Sequence, residues 1–183
     1  MPSDPTQALA DTRLWLERAV IGLNLCPFAK AVHAKGQVHL ALTGAPDWAG
    51  ILGALEAEAA ELARRDASER DTTLLVAPAG PADFIEFAGL VAQGERQLRT
   101  QGLEGVLQLA SFHPRFHFAG TDVDDVTNYT NRSPWPTLHL LREASIDRAV
   151  DAFPDAADIY EANMRTLRVL GESGWKRRME GGQ

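Results

Sequence analysis

Residues suited to acid–base chemistry, metal binding and anion binding are concentrated between Ser111 and Glu143. Three of the five histidines lie in this stretch with three aspartates and three arginines: His113, His117, His139, Asp122, Asp124, Asp125, Arg115, Arg132 and Arg142. The stretch has no sustained helical or strand period, and it is rich in aromatic residues and prolines. Long loops inside compact domains are usually functional or disordered, and the aromatic content argues against disorder. The sequence therefore predicts a functional loop over residues 111–143.

Histidine nitrogens and aspartate oxygens in this loop are the donors that zinc, manganese and iron take in proteins. The expected metal ligands are His113, His117, Asp124 and Asp125. A spacing of four residues brings the two histidines together on a helix, and an even spacing puts them on one side of an extended segment. His139 would be a third nitrogen ligand or a general base. The alternative is that the carboxylates cap turns and pair with Arg115 and Arg132.

Arginines and asparagines of the same loop are suited to an anionic ligand. Guanidinium groups can fork onto a carboxylate or a phosphate, and amides add neutral hydrogen bonds. The expected substrate-binding residues are Arg115, Asn128, Asn131, Arg132 and Arg142. The alternative is structural ion pairing, with Arg142 held by Glu143 or by the acidic part of the loop. The glycine-rich sequences of the common nucleotide-binding loops are absent from the chain.

The only cysteine, Cys26, is a third candidate. A cysteine nucleophile needs a base and an electropositive setting. Pro27 ends or kinks the first predicted helix at Cys26, and the dipole at a helix C-terminus disfavours a thiolate. The predicted topology places Cys26 at the sheet edge opposite the histidine loop, and a free cysteine is usually a small buried side chain. A kink that redirects the chain would keep a catalytic role open.

Composition sets broad limits on the class of protein. The 183 residues suit one domain with a full core, and 45% hydrophobic with 23% charged residues is ordinary for a globular protein. The net charge of -7 argues against a general nucleic-acid footprint, and one cysteine cannot form a disulfide framework. The first residues lack the basic region and apolar run of a signal peptide, so we expect no signal sequence, and no apolar stretch is long enough for a bilayer. We expect a soluble cytoplasmic protein without a nucleic-acid or membrane partner.

Apolar periodicity and capping residues divide the chain into alternating helices and strands. Strands are predicted over residues 37–43, 72–77 and 105–110, and residues 137–141 are a further short strand or the start of a helix. Helices are predicted from the cap at Asp4 to Cys26, then to about Ala34, from Asp47, from Asp83, from Ser145 to Pro154, and from Asp155 to Gly171.

This alternation predicts an α/β protein. We expect a single domain over residues 1–183, in three layers or two, with a small, mostly parallel sheet and flanking helices. Ligands bind outside the carboxyl ends of the strands in such sheets, so the loop over 111–143 and residues 77–81 should share that edge. Residues 176–183 are predicted to be a flexible basic tail.

Two stretches carry a resemblance to a known family. They are N-L-C-P-F-A from Asn24 to Ala29, and the segment from His113 to Ile146 that begins H-P-R-F-H-F-A-G-T-D. Both resemble an uncharacterised bacterial and plant family, number 1415 among the domains of unknown function. The resemblance implies a stand-alone single-domain protein and supplies no activity, cofactor or catalytic residue. It also implies that the Cys-Pro stretch and the histidine loop meet in space, against the topological argument, and that other aromatic residues can replace His117.

The residues favour one functional hypothesis and leave two others open. The first is a metal-assisted hydrolase acting on a small polar or anionic substrate, with a divalent metal as its cofactor. Its catalytic residues would be His113, His139 and Asp125. The second is a non-enzymatic module that binds an anion through the arginines and asparagines. The third is a cysteine-dependent enzyme that uses Cys26.

Overall fold

Helices and strands alternate along the first two thirds of the chain, as the sequence predicts. The computed structural model describes residues 5–152 and 155–181. Its elements are α1 (Pro5–Trp15), a π-helix (Leu16–Ile21), α2 (Ala29–Ala34), β1 (Val38–Leu42), α3 (Trp48–Arg64), β2 (Thr72–Val76), α4 (Phe84–Thr100), β3 (Leu107–Phe112), a 3-10 helix (Val126–Asn131), β4 (Thr137–Arg142), α5 (Glu143–Ala152) and α6 (Ala156–Glu180). The predicted cap at Asp4 and the break at Pro154 lie outside the described residues. None of the described helices is long and apolar enough to cross a membrane.

The two central helices begin at the aspartates that the sequence predicts as caps. The side chain of Asp47 accepts a hydrogen bond from the backbone N–H of Gly50, and that of Asp83 accepts one from Glu86. Each bond satisfies a backbone donor that has no partner inside its own helix. The apolar residues of both helices then recur at helical spacing, so that α3 and α4 each bury one face.

The four-stranded sheet has the order β1-β2-β4-β3. The α/β class, the small sheet and the flanking helices are confirmed, but the pairing of the strands differs from the prediction. β1 is parallel to β2, whereas β4 is antiparallel to both β2 and β3. The three strands β1, β2 and β3 do run in one direction, as expected. Residues 137–142 form a strand that inserts between β2 and β3, and this insertion makes the sheet mostly antiparallel.

Successive residues of β4 form their backbone hydrogen bonds alternately with β2 and with β3. The N–H of Ala77 donates to the carbonyl of Pro136, and the N–H of Glu143 donates to the carbonyl of Val106. Because hydrogen-bonded pairs recur at every second residue of an antiparallel ladder, even-numbered residues of β4 bond to β2 and odd-numbered residues to β3. β4 is therefore held on both sides, and β1 and β3 are the edge strands.

Helices cover both faces of the sheet, which makes three layers. On one face, side chains of α3 and α4 pack against the sheet: Ile51, Leu55, Leu62, Phe87, Leu90, Leu75, Leu109, Leu138 and Leu140 are all buried there. On the other face, α1 and the π-helix place Trp15, Leu16, Ala19 and Val20 against Val38, Phe112, Trp175 and Met179. The edge of Trp15 meets the ring of Phe112 at a centroid distance of 4.9 Å.

The last helix continues beyond its predicted end. Gly171 has a φ of 65° and interrupts α6 with a kink, but the helix resumes and reaches Glu180. The predicted tail therefore begins inside a helix that contacts the π-helix. Arg18 donates to the carbonyl of Met179 at 2.6 Å, and Arg178 donates to the carbonyl of Arg18 at 2.6 Å.

Arg142 lies at the opposite edge of the sheet from the histidine loop, because β4 runs against the other strands. Its guanidinium donates to the carbonyls of Leu62, Arg65 and Arg70, at distances between 2.7 and 3.2 Å. These carbonyls belong to the end of α3 and to the turn that follows it. Arg142 therefore lies apart from His113, and its guanidinium is occupied by backbone carbonyls.

Replacing Arg142 by Met should lower the free energy of unfolding by about 3 kcal/mol, because it removes charged hydrogen bonds from three carbonyls. Urea unfolding measures the difference. The control is Arg96→Met, since Arg96 is exposed and, among the described residues, its guanidinium bonds to Gln93 of the same helix alone. That change should cost less than about 0.5 kcal/mol. Equal losses in the two variants would contradict the capping role of Arg142.

Candidate functional site

The histidine loop and the turn after β2 meet at one edge of the sheet, as predicted. The ring of His113 lies 3.0 Å, measured from Nε2, from the carbonyl oxygen of Pro81. β1, β2 and β3 all end at this edge, and β4 begins there at Thr137. The loop from His113 to Pro136 is therefore the wide connection between two antiparallel neighbours.

His113 is a buried structural residue with both ring nitrogens in use. Nδ1 accepts a hydrogen bond from the backbone N–H of Arg115 at 3.0 Å, so the ring proton lies on Nε2 and is donated to Pro81. The ring packs against Phe84 and Phe87 of α4. Desolvation lowers the pKa of His113, which keeps the ring neutral. A metal ion would have to displace one of these two hydrogen bonds.

Two asparagines and an arginine hold the loop in shape. Asn128 is fully buried; its Oδ1 accepts from the N–H of Phe118, and its Nδ2 donates to the carbonyl of Asp122. Asn131 donates from Nδ2 to the carbonyl of Ser111 and accepts from the N–H of His113 through its own carbonyl. Arg132 donates to the carbonyls of Phe116 and Val123, and its guanidinium lies 4.6 Å from the ring centroid of Tyr129. The groups predicted to bind substrate therefore bond to the loop itself.

The predicted metal ligands do not assemble. Asp125 caps the 3-10 helix by accepting from the N–H and the hydroxyl of Thr127, and these bonds lower the pKa of Asp125. Asp124 is exposed, and His117 stacks at a tilt on Phe84 with the ring centroids 5.0 Å apart. Within residues 5–152 and 155–181, no three His, Cys, Asp or Glu side chains come close enough to hold a metal ion.

Arg115 differs from the other candidates because its side chain is exposed at the rim of the loop. Its guanidinium makes no hydrogen bond or ion pair with any residue that the structure describes, and its backbone N–H binds His113. Of the five predicted substrate-binding residues, Arg115 alone keeps its charged group available to an anion.

His139 is separated from His113 by the sheet. It lies in the middle of β4, on the face that α1 and the π-helix cover, and its ring is 5.7 Å from that of Phe112. The hydroxyl of Thr72 donates to the carbonyl of Leu140, so it accepts the proton on Nε2 of His139 at 2.6 Å. Desolvation lowers the pKa of His139 to about 4. The two histidines cannot act on one substrate, because His113 faces α4.

Both stretches that carry the family resemblance contact α6. Asn163 of α6 donates to the carbonyl of Leu25 at 2.8 Å, while Tyr160 and Trp175 of α6 meet Phe118 and Tyr129 of the loop. The helix thus connects the two stretches. Cys26 itself is partly buried and packs against the apolar cluster around Trp15 and Val20.

A cleft of about 400 Å³ lies where the N-terminal end of α6 meets the turn that follows the π-helix. It is lined by Asn24, Pro27, Ala152, Asp155, Asp158, Ile159, Ala162 and Asn163. Asn24 has a φ of 54°, a left-handed conformation that is uncommon outside glycine. The N–H of Leu25 closes the π-helix by donating to the carbonyl of Val20. Short π-helical segments often accompany functional sites.

Sequence reasoning missed this cleft. The N-L-C-P-F stretch and the cap at Asp155 were visible, but they lie far apart in the chain and neither belongs to a known motif. The π-helix has no distinctive residue pattern, since each of its residues also fits an α-helix. A signal was present only in the resemblance, which includes Asn24 and Pro27.

The comparisons with known proteins identify the family and nothing more specific. Residues 7–177 match the family described as Protein of unknown function (DUF1415), so the chain belongs to that family. Neither a curated protein nor a solved structure matched the chain. The family has no described activity to transfer, and the function must be inferred from the geometry.

Substitution of two neighbouring aspartates, Asp124 and Asp125, can distinguish a structural loop from a metal site. Asp125→Ala should lower the melting temperature by roughly 2–4 °C, the effect of losing a helix cap in a domain of this size. Asp124→Ala should leave the melting temperature unchanged, because that exposed carboxylate caps none of the described helices. Differential scanning calorimetry, with and without a chelator, measures both. Equal losses in the two variants, or a chelator-dependent loss in the wild type, would support the metal site instead.

The desolvated ring of His139 should make the free energy of unfolding depend on pH. The unfolded chain binds a proton near the ordinary histidine pKa of 6.5, whereas the folded chain does so only near 4. Protonation therefore favours unfolding, and stability should fall by on the order of 2–3 kcal/mol between these pH values. In His139→Phe this part of the decrease should be missing. Urea unfolding at several pH values measures it, and parallel pH profiles for variant and wild type would refute the assignment.

Proposed function

We propose that this protein binds a small organic molecule in the cleft between the turn at Asn24 and the start of α6. The observation that carries the proposal is the cleft itself, whose volume of about 400 Å³ is that of a small-molecule site. Its walls come from two distant parts of the chain. A binding role was also the second hypothesis from the sequence, but that hypothesis had an anionic ligand and placed it at the loop over residues 111–143.

The charges in the cleft favour a cationic ligand over an anionic one. Two carboxylates, Asp155 and Asp158, and two amides, Asn24 and Asn163, line it with four apolar residues. No lysine, arginine or histidine is among the described lining residues. Asp155 also caps α6 by accepting from the N–H of Ala157, whereas Asp158 makes no side-chain hydrogen bond to a described residue. A compact amine with a short apolar body would pair with Asp158 and pack against Pro27 and Ile159.

Two hydrogen bonds hold the turn at Asn24 in place on its side of the cleft before any ligand binds. Asn163 is buried, and its hydrogen bond to the carbonyl of Leu25 ties α6 to the turn. Asn24 donates its N–H to the carbonyl of Ile21, which keeps it in the left-handed conformation. A prearranged site loses less conformational freedom on binding, so a small ligand can bind there with useful affinity.

The metal-assisted hydrolase has less support than the binding protein. It would need His113, His117, Asp124 and Asp125 to converge, and three of these side chains have structural partners in the loop. An anion-binding role would depend on Arg115, because Arg132 and Arg142 are committed to backbone carbonyls.

A cysteine-dependent reaction is the second candidate, and one observation favours it. Cys26 is partly buried and directly precedes Pro27, which lines the cleft. The thiol itself packs against the apolar cluster around Trp15 and is not among the residues that line the cleft, so a reaction would require the Cys26 side chain to turn towards the ligand. If the reaction exists, Cys26→Ser should abolish turnover while ligand binding persists; if Cys26 only packs against the core, neither changes.

Titration of the labelled protein with butylamine and with butyrate, followed by amide NMR, tests the proposed function. Butylamine should shift the amide signals of Asn24, Asp158 and Asn163, because its ammonium group pairs with the carboxylate of Asp158. Butyrate has a similar size and the opposite charge, and it should leave these signals in place.

Two variants with the same change of charge serve as a matched pair. Asp158→Asn should weaken the response to butylamine at least fivefold, whereas Asp147→Asn on the exposed part of α5 should leave it intact. The proposal fails if neither compound moves the cleft signals. It also fails if the two variants respond alike, or if butyrate binds while butylamine does not.

A further inference from the structure

A buried side chain in the cleft beside α6 has a hydrogen-bond acceptor that is not in use. Asn163 is only 6% exposed, and it lines the cleft. Its Nδ2 donates to the carbonyl of Leu25, whereas its Oδ1 accepts from none of the described residues. This oxygen is not one of the polar atoms that the protein encloses without a partner, so it is open to the cleft. A ligand that carries a hydrogen-bond donor would complete the pairing of this amide.

The cleft runs along α6, and its carboxylates lie at one end. Asp155 and Asp158 are at the start of the helix, and Asn163 lies about 7.5 Å further along the helix axis than Asp158. Ile159 and Ala162 line the cleft between these ends. A ligand that uses both ends therefore needs a polar group at each end of an apolar chain.

The two carboxylates outweigh the positive end of the helix. Asp155 accepts from the N–H of Ala157, and neither lining aspartate forms an ion pair within the part of the chain that the structure describes. They contribute two negative charges, of which a helix N-terminus offsets about half of one. Asp151, next to the lining residue Ala152, adds another negative charge nearby. A single ammonium group would leave the cleft negative, which favours a second ammonium group at the Asn163 end.

We propose that the cleft binds a linear aliphatic diamine with about four methylene groups between its nitrogens. The inference rests on the proposed function, because it concerns the same cleft and narrows the class of amine. One ammonium group pairs with Asp155 and Asp158, and the other donates to Oδ1 of Asn163. The nitrogens of such a chain are roughly 6 Å apart, and a hydrogen bond of about 3 Å at each end gives the remaining reach. The methylene groups pack against Pro27 and Ile159, which a bare metal ion would not contact.

Probes of different charge and length test the diamine on the full chain. Tetramethylenediamine has both ammonium groups, aminobutanol has a hydroxyl group in place of the second one, and butylamine has neither at its far end. Calcium chloride supplies a doubly charged cation without a carbon chain. Amide NMR at low ionic strength measures the affinities. The diamine should bind about fivefold more tightly than aminobutanol, the gain from one well-placed surface ion pair, and it should shift the side-chain amide signal of Asn163.

Two variants that each lose one negative charge provide the matched control. Asp155→Asn keeps the helix cap, because asparagine caps a helix as well as aspartate does. It should reduce the preference for the diamine over aminobutanol to less than about twofold. Glu95→Gln, at an exposed position of α4, should leave that preference unchanged. Circular dichroism verifies that both variants fold.

The outcomes separate this inference from the proposed function. If neither butylamine nor the diamine moves the cleft signals, the proposed function fails and the inference fails with it. If butylamine binds but the diamine binds no more tightly than aminobutanol, the inference alone is overturned. Calcium ions that shift the same signals as strongly as the diamine would also overturn it, as would an equal loss of preference in the two variants.

Discussion

Peptide groups of β4 hydrogen-bond alternately to β2 and to β3, and this double pairing determines where the other features lie. Because β4 runs against its neighbours, the chain must reverse after β3, and the loop from His113 to Pro136 makes that reversal. The same insertion carries Arg142 to the far edge, where it caps the end of α3. It also leaves β3 as an edge strand, with no other strand of the described residues on its outer side.

The loop needs polar residues for its own stability. A long irregular connection has many backbone N–H and carbonyl groups outside any ladder, and buried groups of this kind must be paired. Here the partners are the side chains of Asn128, Asn131, Arg132 and Asp125, with the ring of His113. These residue types are also those of metal and anion sites. A high density of such residues in a sequence therefore indicates a long loop whose backbone needs hydrogen-bond partners as readily as it indicates a catalytic site.

Local features of the fold were predictable, and long-range ones were not. The strands and the caps at Asp47 and Asp83 follow from apolar spacing and from the hydrogen bonds that aspartate offers to a helix start. The partner of β4 depends on contacts between distant segments, so its short apolar run was compatible with either a strand or a helix. The cleft at Asn24 was equally hidden, since a π-helix and an α-helix use the same residues. Only its position within the N-L-C-P-F stretch pointed towards it.

The central claim is that the histidines between Ser111 and Glu143 are structural donors rather than ligands or bases. Nitrogen-15 NMR of the imidazole rings, recorded with and without added zinc, tests it most directly. We expect His113 and His139 to be neutral with the proton on Nε2, to have pKa values below that of an ordinary histidine, and to show no change in their signals when zinc is added. A ring protonated on Nδ1, a titration near neutral pH, or a shift of either histidine on adding zinc would contradict it.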